Sequence, residues 1–344
     1  MVPRCLPATQ PASWLSSTRG CAPRDIRPSW KNWLKRASLD LADKELAQAR
    51  RINPKDAEAD YLSGIVQQRW QSPEKALEYY TAACTKMPDE LAYVLARSEM
   101  LVTLNRQEEA LRMLQDKVVY FEHSAVIRDA VGQLLMQFKR YQEAADMLRQ
   151  ASILATDDRT ITEHLAWALF TCKQYREAID PFQKLIKIEK NAKRADLYLA
   201  LGQCQMESDK IREAKANFET AAQLDTHSSS AWLALGRAAL QQNDLNRADS
   251  ALRRAITLDP SRSETRLLVG YLRLKQNKLE EALSNFQRAS AADREDTVTL
   301  CMIGHTLARL GRHQQAQQYF TQALKIKPGD EMASKMMASL NMTD

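Results

Sequence analysis

The chain has 344 residues, of which 44% are hydrophobic, and its formal net charge at pH 7 is +6. Residues 1–36 contain seven basic residues and one acidic residue, so they account for the whole excess, and the remaining residues are balanced in charge. This distribution argues against a general nucleic-acid-binding surface, and no apolar run reaches the about 18 residues that a transmembrane helix requires.

Four prolines interrupt residues 1–25, which also contain arginine and serine but no acidic residue before Asp25. The prolines argue against the amphipathic helix of a transit peptide, and the segment lacks the apolar run of a secretory signal. We therefore expect a disordered leader. A soluble, cytoplasmic protein is favoured, with association with a cell envelope as the alternative if the true start of translation lies elsewhere.

Small residues recur with a period of 34 between residues 57 and 330. Gly236, Gly270 and Gly304 belong to one phase, and an alanine follows each of them after twelve residues, as Ala248 follows Gly236. We expect the glycine and the alanine to lie against each other where two antiparallel helices approach closely. A large apolar residue follows each alanine after four residues and therefore shares its helix face.

The pattern W-x-x-L-G, followed by A-x-x-x-L-x-x-A and then P, is complete from Trp232 to Pro260. It resembles the tetratricopeptide repeat, a helix-turn-helix unit of 34 residues. The resemblance implies an all-α fold, a right-handed α-solenoid of about eight repeats with a partial N-terminal repeat and a C-terminal capping helix. It places repeats 1–4 at residues 57–192 and repeats 5–8 at residues 195–330, with a two-residue insertion at residues 193–194.

Residues 26–56 match only the second half of a repeat, for example through Ala42 and Leu46. Trp30 and Trp33 are expected to cap the exposed end of the stack. A partner-binding aromatic pair is the alternative for these two residues.

Pro181 lies within the second helix of the fourth repeat. We expect a kink there, because proline removes a backbone hydrogen bond. Together with the insertion, it predicts a local irregularity between residues 173 and 198 that divides the solenoid into halves of four repeats.

Residues 331–344 are predicted to form a C-terminal capping helix with Met332, Met336, Met337 and Leu340 near one face. Such a helix would cover the last apolar surface of the stack. A docking or dimerisation surface is the alternative, because methionine-rich surfaces adapt to partners.

The sequence contains no P-loop, dinucleotide-binding, zinc-protease or nucleophile-elbow motif. Its five histidines have no metal-ligand spacing, and no C-x-x-C occurs among its six cysteines. We therefore predict no enzyme activity, no cofactor and no metal. We also expect buried free thiols, which favour a reducing compartment.

The family resemblance places positions 2, 5, 9, 12 and 13 of each first helix on the inner wall of the solenoid. From the third repeat onward these positions hold apolar residues and then a mostly basic stretch. The predicted partner-binding groove consists of Met136, Trp167, Phe170, Leu199, Met206, Leu233, Arg237, Leu240, Tyr271, Lys275, His305 and Arg309. The alternative for Trp167 and Phe170 is packing between adjacent first helices.

Two specialised functions of the family are disfavoured. Positions 5 and 9 of the first three repeats lack the lysine and asparagine residues with which co-chaperone members bind a carboxylate, and position 6 lacks the asparagine ladder of sugar-transferring members. We expect a non-catalytic interaction scaffold or adaptor for a protein or peptide partner, with an acidic segment near Arg237, Lys275 and Arg309. The alternative is a structural subunit of a larger envelope, secretion or pilus-assembly complex.

Overall fold

The computed structural model describes residues 39–188 and 193–341. The predicted leader, the tryptophans Trp30 and Trp33, and the last three residues of the predicted capping segment lie outside these described residues.

Eighteen α-helices form this part of the chain, which confirms the predicted all-α fold. They are α1 (Leu39–Ile52), α2 (Ala57–Arg69), α3 (Pro73–Lys86), α4 (Leu91–Thr103), α5 (Gln107–Val118), α6 (Ala125–Gln137), α7 (Tyr141–Leu154), α8 (Arg159–Thr171), α9 (Tyr175–Ile188), α10 (Ala195–Glu207), α11 (Ile211–Leu224), α12 (Ser229–Gln241), α13 (Leu245–Leu258), α14 (Ser263–Lys275), α15 (Leu279–Ala292), α16 (Thr297–Arg309), α17 (His313–Ile326) and α18 (Glu331–Asn341).

The chain divides into two compact modules between Lys173 and Gln174. Helices α1 to α8 belong to the amino-terminal module, and helices α9 to α18 belong to the carboxy-terminal module. The insertion at residues 193–194 precedes α10 and lies inside the carboxy-terminal module. Helix α9 is continuous through Pro181, and the predicted kink at this residue stays a prediction.

Within each module, the helices pack mainly against their neighbours in sequence. The two helices of one repeat, such as α2 with α3 or α14 with α15, form a hairpin, and the second helix packs against the first helix of the next repeat. Apolar side chains are therefore buried between successive helices rather than around one closed centre, as in a solenoid. Ala178 and Ala248, two of the periodic alanines, are fully buried.

The periodic glycines pack differently from the expected contact with alanine. A Cβ atom added to Gly236 would lie 2.6 Å from Cδ2 of Leu252, and at Gly270 it would lie 2.4 Å from Cε1 of Phe286. The side chain nearest to Gly236 is therefore that of Leu252, one turn beyond Ala248. The glycine makes room for the large side chain one turn further along the second helix, and this contact compensates for the poor helix propensity of glycine.

The turn between the two helices of each repeat contains a residue with left-handed backbone geometry. At Lys139, φ is 60°, its N–H donates to the carbonyl of Met136, and the N–H of Arg140 donates to the carbonyl of Leu135. This pair of bonds is a Schellman motif, which satisfies carbonyls at the end of a helix. A positive φ also occurs in the corresponding turns of the other repeats, at Gln71, Asn105, Lys173, Asp209, Asn243, Asn277 and Gly311.

Helices at both ends of the described array cover apolar surface. Helix α1 packs on α2 and buries Ala42 and Leu46. Helix α18 packs against α16 and α17, where Leu340 is buried and Met336 is half-buried.

The four cysteines of the described residues are free thiols. Cys204 and Cys301 are buried, whereas Cys84 and Cys172 are half-buried. Burial raises the pKa of Cys204 to about 12 and that of Cys301 to about 11, so these two thiols are not nucleophilic at neutral pH. None of the described helices is long and apolar enough to cross a bilayer.

Candidate protein-interaction surfaces

The first helices of neighbouring repeats contact each other directly in each module. In the amino-terminal module α4 contacts α6 and α6 contacts α8, and in the carboxy-terminal module α10 contacts α12 and α12 contacts α14. We call the exposed sides of the first helices in each module the first-helix face. Several of these helices begin with an aspartate cap, as at Asp158, whose Oδ1 accepts from the N–H groups of Thr160 and Ile161.

The apolar residues of the predicted groove differ in their accessibility in the carboxy-terminal module. Leu233 and Leu240 are only 3% and 6% exposed, because they pack between helices in the interior of the array, and they cannot form a free wall. Leu199 and Met206 are half-buried beside the cluster around Phe218. These two residues keep some surface for a partner.

Tyr271 is also half-buried, and most of its ring belongs to the interior of the seventh repeat. It packs edge-to-face on Phe286, with 5.6 Å between the ring centroids and 84° between the ring planes. Burial raises the pKa of Tyr271, so its hydroxyl stays protonated. Tyr271 can therefore offer a partner a hydroxyl rather than a free aromatic face.

The basic residues of the predicted groove fall into two kinds. Arg237 pairs with Glu264, a carboxylate that it shares with Arg262. Burial and the neighbouring Arg309 guanidinium lower the pKa of His305, so its imidazole is neutral at pH 7. The cations that remain for an anionic partner are Lys275 and Arg309, and both are exposed.

Lys275 and Arg309 are held in the same way. Lys275 Nζ donates to Oδ1 of Asn243 at 3.3 Å, and Arg309 Nη2 donates to Oδ1 of Asn277 at 2.7 Å. Each cation ends a first helix, and each asparagine is the left-handed turn residue of the preceding repeat. An amide oxygen orients a cation without cancelling its charge. The sequence signal for this arrangement is the offset of 32 residues that separates each asparagine from its cation.

The predicted aromatic pair lies on α8 in the amino-terminal module. Trp167 and Phe170 are half-buried and pack edge-to-face, with 5.8 Å between the ring centroids and 79° between the ring planes. Met136, on α6, is half-buried against the apolar cluster of the same module. All three residues therefore have limited exposed surface on the first-helix face.

Two polar clusters of the amino-terminal module were not predicted. The first joins α6 and α8, where the Asp129 carboxylate lies 2.7 Å from Nδ1 of His164 and accepts a hydrogen bond from Gln133 Nε2 at 2.8 Å. Asp129 is largely buried, and these contacts compensate for its lost hydration. The residues are distant in sequence, so only the stacking of neighbouring repeats brings them together.

The second cluster surrounds Glu99 on α4. Its Oε1 accepts a hydrogen bond from Gln68 Nε2 at 3.2 Å, and Gln68 Oε1 accepts from the Tyr80 hydroxyl at 2.9 Å. Burial raises the pKa of Glu99 to about 7, and the hydrogen bond from Gln68 opposes this effect only in part. Glu99 is therefore partly ionised at neutral pH.

No group of three or more histidine, cysteine, aspartate or glutamate side chains within residues 39–188 and 193–341 is arranged to hold a metal ion. The accessible chemistry of the first-helix faces consists of hydrogen bonds, charges and limited apolar contact. These are the means by which one protein surface recognises another.

The stacked hairpins and their first-helix faces define the chain as a tetratricopeptide repeat protein, a class of typically non-catalytic scaffolds with extended binding surfaces. The family model described as Cilia and flagella-associated protein 70 C-terminal domain matches residues 158–343, more than half of the chain, and the chain belongs to this family. The predicted membership in the tetratricopeptide repeat class is thereby confirmed. No curated protein sequence matches the chain.

The chain is also similar in fold to several solved structures. The crystal structure of the APC/C hetero-tetramer Cut9-Hcn1 is similar with a TM-score of 0.52 and 17% identity, over 88% of this chain and 59% of that chain. PilF of Pseudomonas aeruginosa is similar with a TM-score of 0.51 and 17% identity, over 62% of this chain and 97% of that chain. YrrB, described as a TPR protein with an unusual peptide-binding site, has 21% identity and a TM-score of 0.45, over 56% of this chain and 97% of that chain. At these identities the likeness concerns the fold alone.

Proposed function

We propose that the chain is a non-catalytic scaffold in which the first-helix face of the carboxy-terminal module binds an acidic segment of a partner protein. The observation that carries the proposal is the pair of exposed cations, Lys275 and Arg309. Their partners are the amide oxygens of Asn243 and Asn277, so both side chains are oriented while their charges stay available. Carboxylates of a partner would gain charge-assisted hydrogen bonds at these two points.

The neighbouring residues supply weaker and less specific contacts. Leu199 and Met206 offer partial apolar surface, and Tyr271 and the neutral His305 offer hydrogen bonds. Arg237 contributes less than the sequence predicts, because Glu264 already pairs with it. The proposal therefore assigns the charge recognition to the end of α14 and the end of α16.

A fluorescein-labelled peptide of ten alternating alanine and glutamate residues tests this proposal by fluorescence anisotropy with the full chain. The variant Lys275→Gln/Arg309→Gln removes the two proposed contacts. The matched control Arg288→Gln/Lys325→Gln removes the same charge from exposed positions on the second helices α15 and α17. The basic residues 1–36 are unchanged in both variants, so any binding of the peptide to them is the same in the two measurements.

We expect the first variant to raise the Kd of the acidic peptide by about five- to thirtyfold. Each exposed charge contact contributes about 0.5–1 kcal/mol, and the two contacts act together. The control variant should change the Kd by less than about twofold, and the difference should shrink as salt is added. Equal losses in the two variants, or no loss in either, would refute the proposal.

In the amino-terminal module we propose Trp167 and Phe170, together with Met136, as an apolar contact site for a protein partner. Their partial exposure supports this role, and their edge-to-face packing supplies a rigid surface. Affinity purification of the full chain with Trp167→Ala/Phe170→Ala, beside wild type, tests it. Retention of every partner by the double variant would dismiss this site.

A second candidate function is that of a structural subunit in a larger assembly. It is favoured by the family match, because the family model is named for a cilia and flagella-associated protein. For this chain we therefore propose an assembly of that kind in place of an envelope, secretion or pilus apparatus, within a cytoplasmic compartment. Sedimentation of native extracts, with fluorescence localisation of the tagged chain, tests it. A chain that sediments as free protein and spreads evenly through the cell would contradict the structural role.

A further inference from the structure

Glu99 is a half-buried carboxylate that is held in place by neutral groups. It lies on α4, and its Oε1 accepts a hydrogen bond from Gln68 of α2 at 3.2 Å. Gln68 cannot rotate freely, because its own Oε1 accepts from the hydroxyl of Tyr80 on α3 at 2.9 Å. Three helices therefore position the Glu99 carboxylate on the first-helix face.

The Glu99 carboxylate has no cationic partner in the part of the chain that the structure describes. The influences on its pKa are burial and one hydrogen bond, with no contribution from a nearby lysine or arginine. Arg97 lies on the same helix, α4, but makes no contribution to the pKa of Glu99, and Lys86 and Arg106 pair with Asp60 and Glu109. A charged group at this depth is normally paired, because loss of hydration disfavours its ionised form.

Tyrosine rings form an apolar wall beside this carboxylate. The ring centroids of Tyr61 and Tyr93 are 4.8 Å apart, and those of Tyr61 and Tyr80 are 5.7 Å apart. Burial, and then the charges of Glu90 and Glu99, raise the pKa of Tyr61 to about 12. The wall therefore stays neutral, and it lowers the local dielectric constant, which strengthens any ion pair formed next to it.

The amino-terminal face offers a direct comparison with Asp129. Asp129 is also buried on a first helix, but Nδ1 of His164 lies 2.7 Å from its carboxylate. Glu99 has no such neighbour within the described chain. The same type of face therefore contains one carboxylate with an internal partner and one that is prepared for an external partner.

We propose that Glu99 is a recognition site for a cationic side chain, a lysine or an arginine, carried by a protein partner. The ammonium or guanidinium group would donate to the Glu99 carboxylate, whose negative charge acts on the neighbouring Tyr61 and Tyr80. Charge complementarity identifies this class of ligand, because a cation stabilises the ionised form of the carboxylate that partial burial disfavours. The site is independent of the proposed binding of an acidic segment, since it lies in the other module and has the opposite polarity.

The test uses the full chain and a fluorescein-labelled peptide of ten alternating alanine and arginine residues. The variant Glu99→Gln preserves the shape and the hydrogen-bonding ability of the side chain while it removes the charge. The matched control Glu108→Gln removes one charge from an exposed position on α5, where Glu108 is paired only with the equally exposed Arg112. Circular dichroism of both variants confirms that they are folded.

We expect Glu99→Gln to raise the Kd of the arginine peptide by about tenfold at pH 8, as for a charge-assisted hydrogen bond. The Glu108→Gln control should differ from wild type by less than about twofold. The acidic peptide used for Lys275 and Arg309 should bind both glutamate variants at least as well as wild type. Loss of arginine-peptide binding in the two variants alike would show a general acidic surface and would overturn the proposal.

The pH dependence of binding gives a second readout. With a Glu99 pKa of about 7, the ionised fraction rises from about one tenth at pH 6 to about nine tenths at pH 8. The wild-type affinity for the arginine peptide should rise severalfold over this range. Burial raises the pKa values of Tyr61 and Tyr93 well above this range, and every other titratable group is unchanged in the Glu99→Gln variant, so the variant isolates the part due to Glu99. A pH dependence that is the same in wild type and in Glu99→Gln would contradict the assignment.

Discussion

The variant Gly270→Ala tests the packing that determines the shape of each hairpin. Gly270 lies in α14, where alanine would be the better helix former by about 1 kcal/mol. A Cβ atom added at this position would lie 2.4 Å from Cε1, 2.5 Å from Cδ1 and 2.8 Å from Cζ of Phe286. Normal carbon contacts are about 3.5–4.0 Å long, so the ring or the two helices must move by about 1 Å.

Two opposing effects determine the expected change in stability. Overpacking of a close interior contact lowers the free energy of unfolding by about 1–3 kcal/mol, and the better helix propensity of alanine raises it by about 1 kcal/mol. Because Phe286 is fully buried and has no room to withdraw, we expect Gly270→Ala to lower the free energy of unfolding by about 1–2 kcal/mol. The sign should reverse in a Phe286→Ala background, where the ring is absent and only the gain in helix propensity remains.

Urea unfolding followed by circular dichroism measures all four members of this double-mutant cycle, with Ser284→Ala on the exposed side of α15 as a control for propensity. Native-state hydrogen exchange then localises the loss of protection to α14 and α15. If Gly270→Ala stabilised the wild-type background as much as the Phe286→Ala background, the close contact between the helix backbone and the ring would not exist, and the explanation given for the periodic glycines would be wrong.

Three further predictions concern other parts of the chain. Burial raises the pKa of Glu99 to about 7 in the folded state. Between about pH 4.5 and 7 the folded state therefore keeps a proton that the unfolded state releases, and the free energy of unfolding of the wild type should fall as the pH rises through this window. In urea unfolding, Glu99→Gln should be more stable than wild type by about 2 kcal/mol at pH 8 and equally stable near pH 4.5. A stability difference that does not change with pH would argue against this pKa. Lys139→Gly should raise the melting temperature by the equivalent of about 0.5–1 kcal/mol, because φ at Lys139 is 60°, and Gly311→Ala, at φ 75°, should have the opposite effect. Alkylation at pH 8 followed by peptide mass spectrometry should modify Cys204 only when the chain unfolds, and rapid labelling of the native protein would contradict its burial.

The sequence predicted the repeating fold well because the repeat imposes a local rule on each unit. A helical hairpin needs a small residue where its backbones approach, and the period of 34 places such a residue at Gly236 and Gly270. The partner of that small residue was harder to infer. Spacing along the second helix does not reveal whether Ala248 or Leu252 reaches the glycine, because that depends on the crossing angle and rotation of the two helices.

The prediction of the groove was also limited, because spacing in the sequence does not reveal how far each side chain is exposed. Leu233 and Leu199 both occupy position 5 of their repeats, yet Leu233 is buried and Leu199 keeps some exposed surface. Position in the repeat predicts the direction of a side chain, whereas exposure depends on the size of the residues on the neighbouring helix. Contacts between repeats, such as that of Asp129 with His164, involve pairs with no common motif and appear only when the repeats are stacked.

Net charge was the least informative property for the candidate sites. Outside residues 1–36 the chain is balanced in charge, which argues against a uniformly charged surface. The net charge does not show the local charge of each first-helix face. Glu99 in the amino-terminal module is negative and the pair of Lys275 and Arg309 in the carboxy-terminal module is positive, so their charges cancel in part in the sum. These residues are candidates because the described part of the chain places no compensating charge beside them, a property that the arrangement of neighbouring side chains determines. A scaffold with such faces can discriminate between partner segments of opposite charge, and exchanging the acidic and arginine peptides between the Glu99 and Lys275/Arg309 variants measures that discrimination directly.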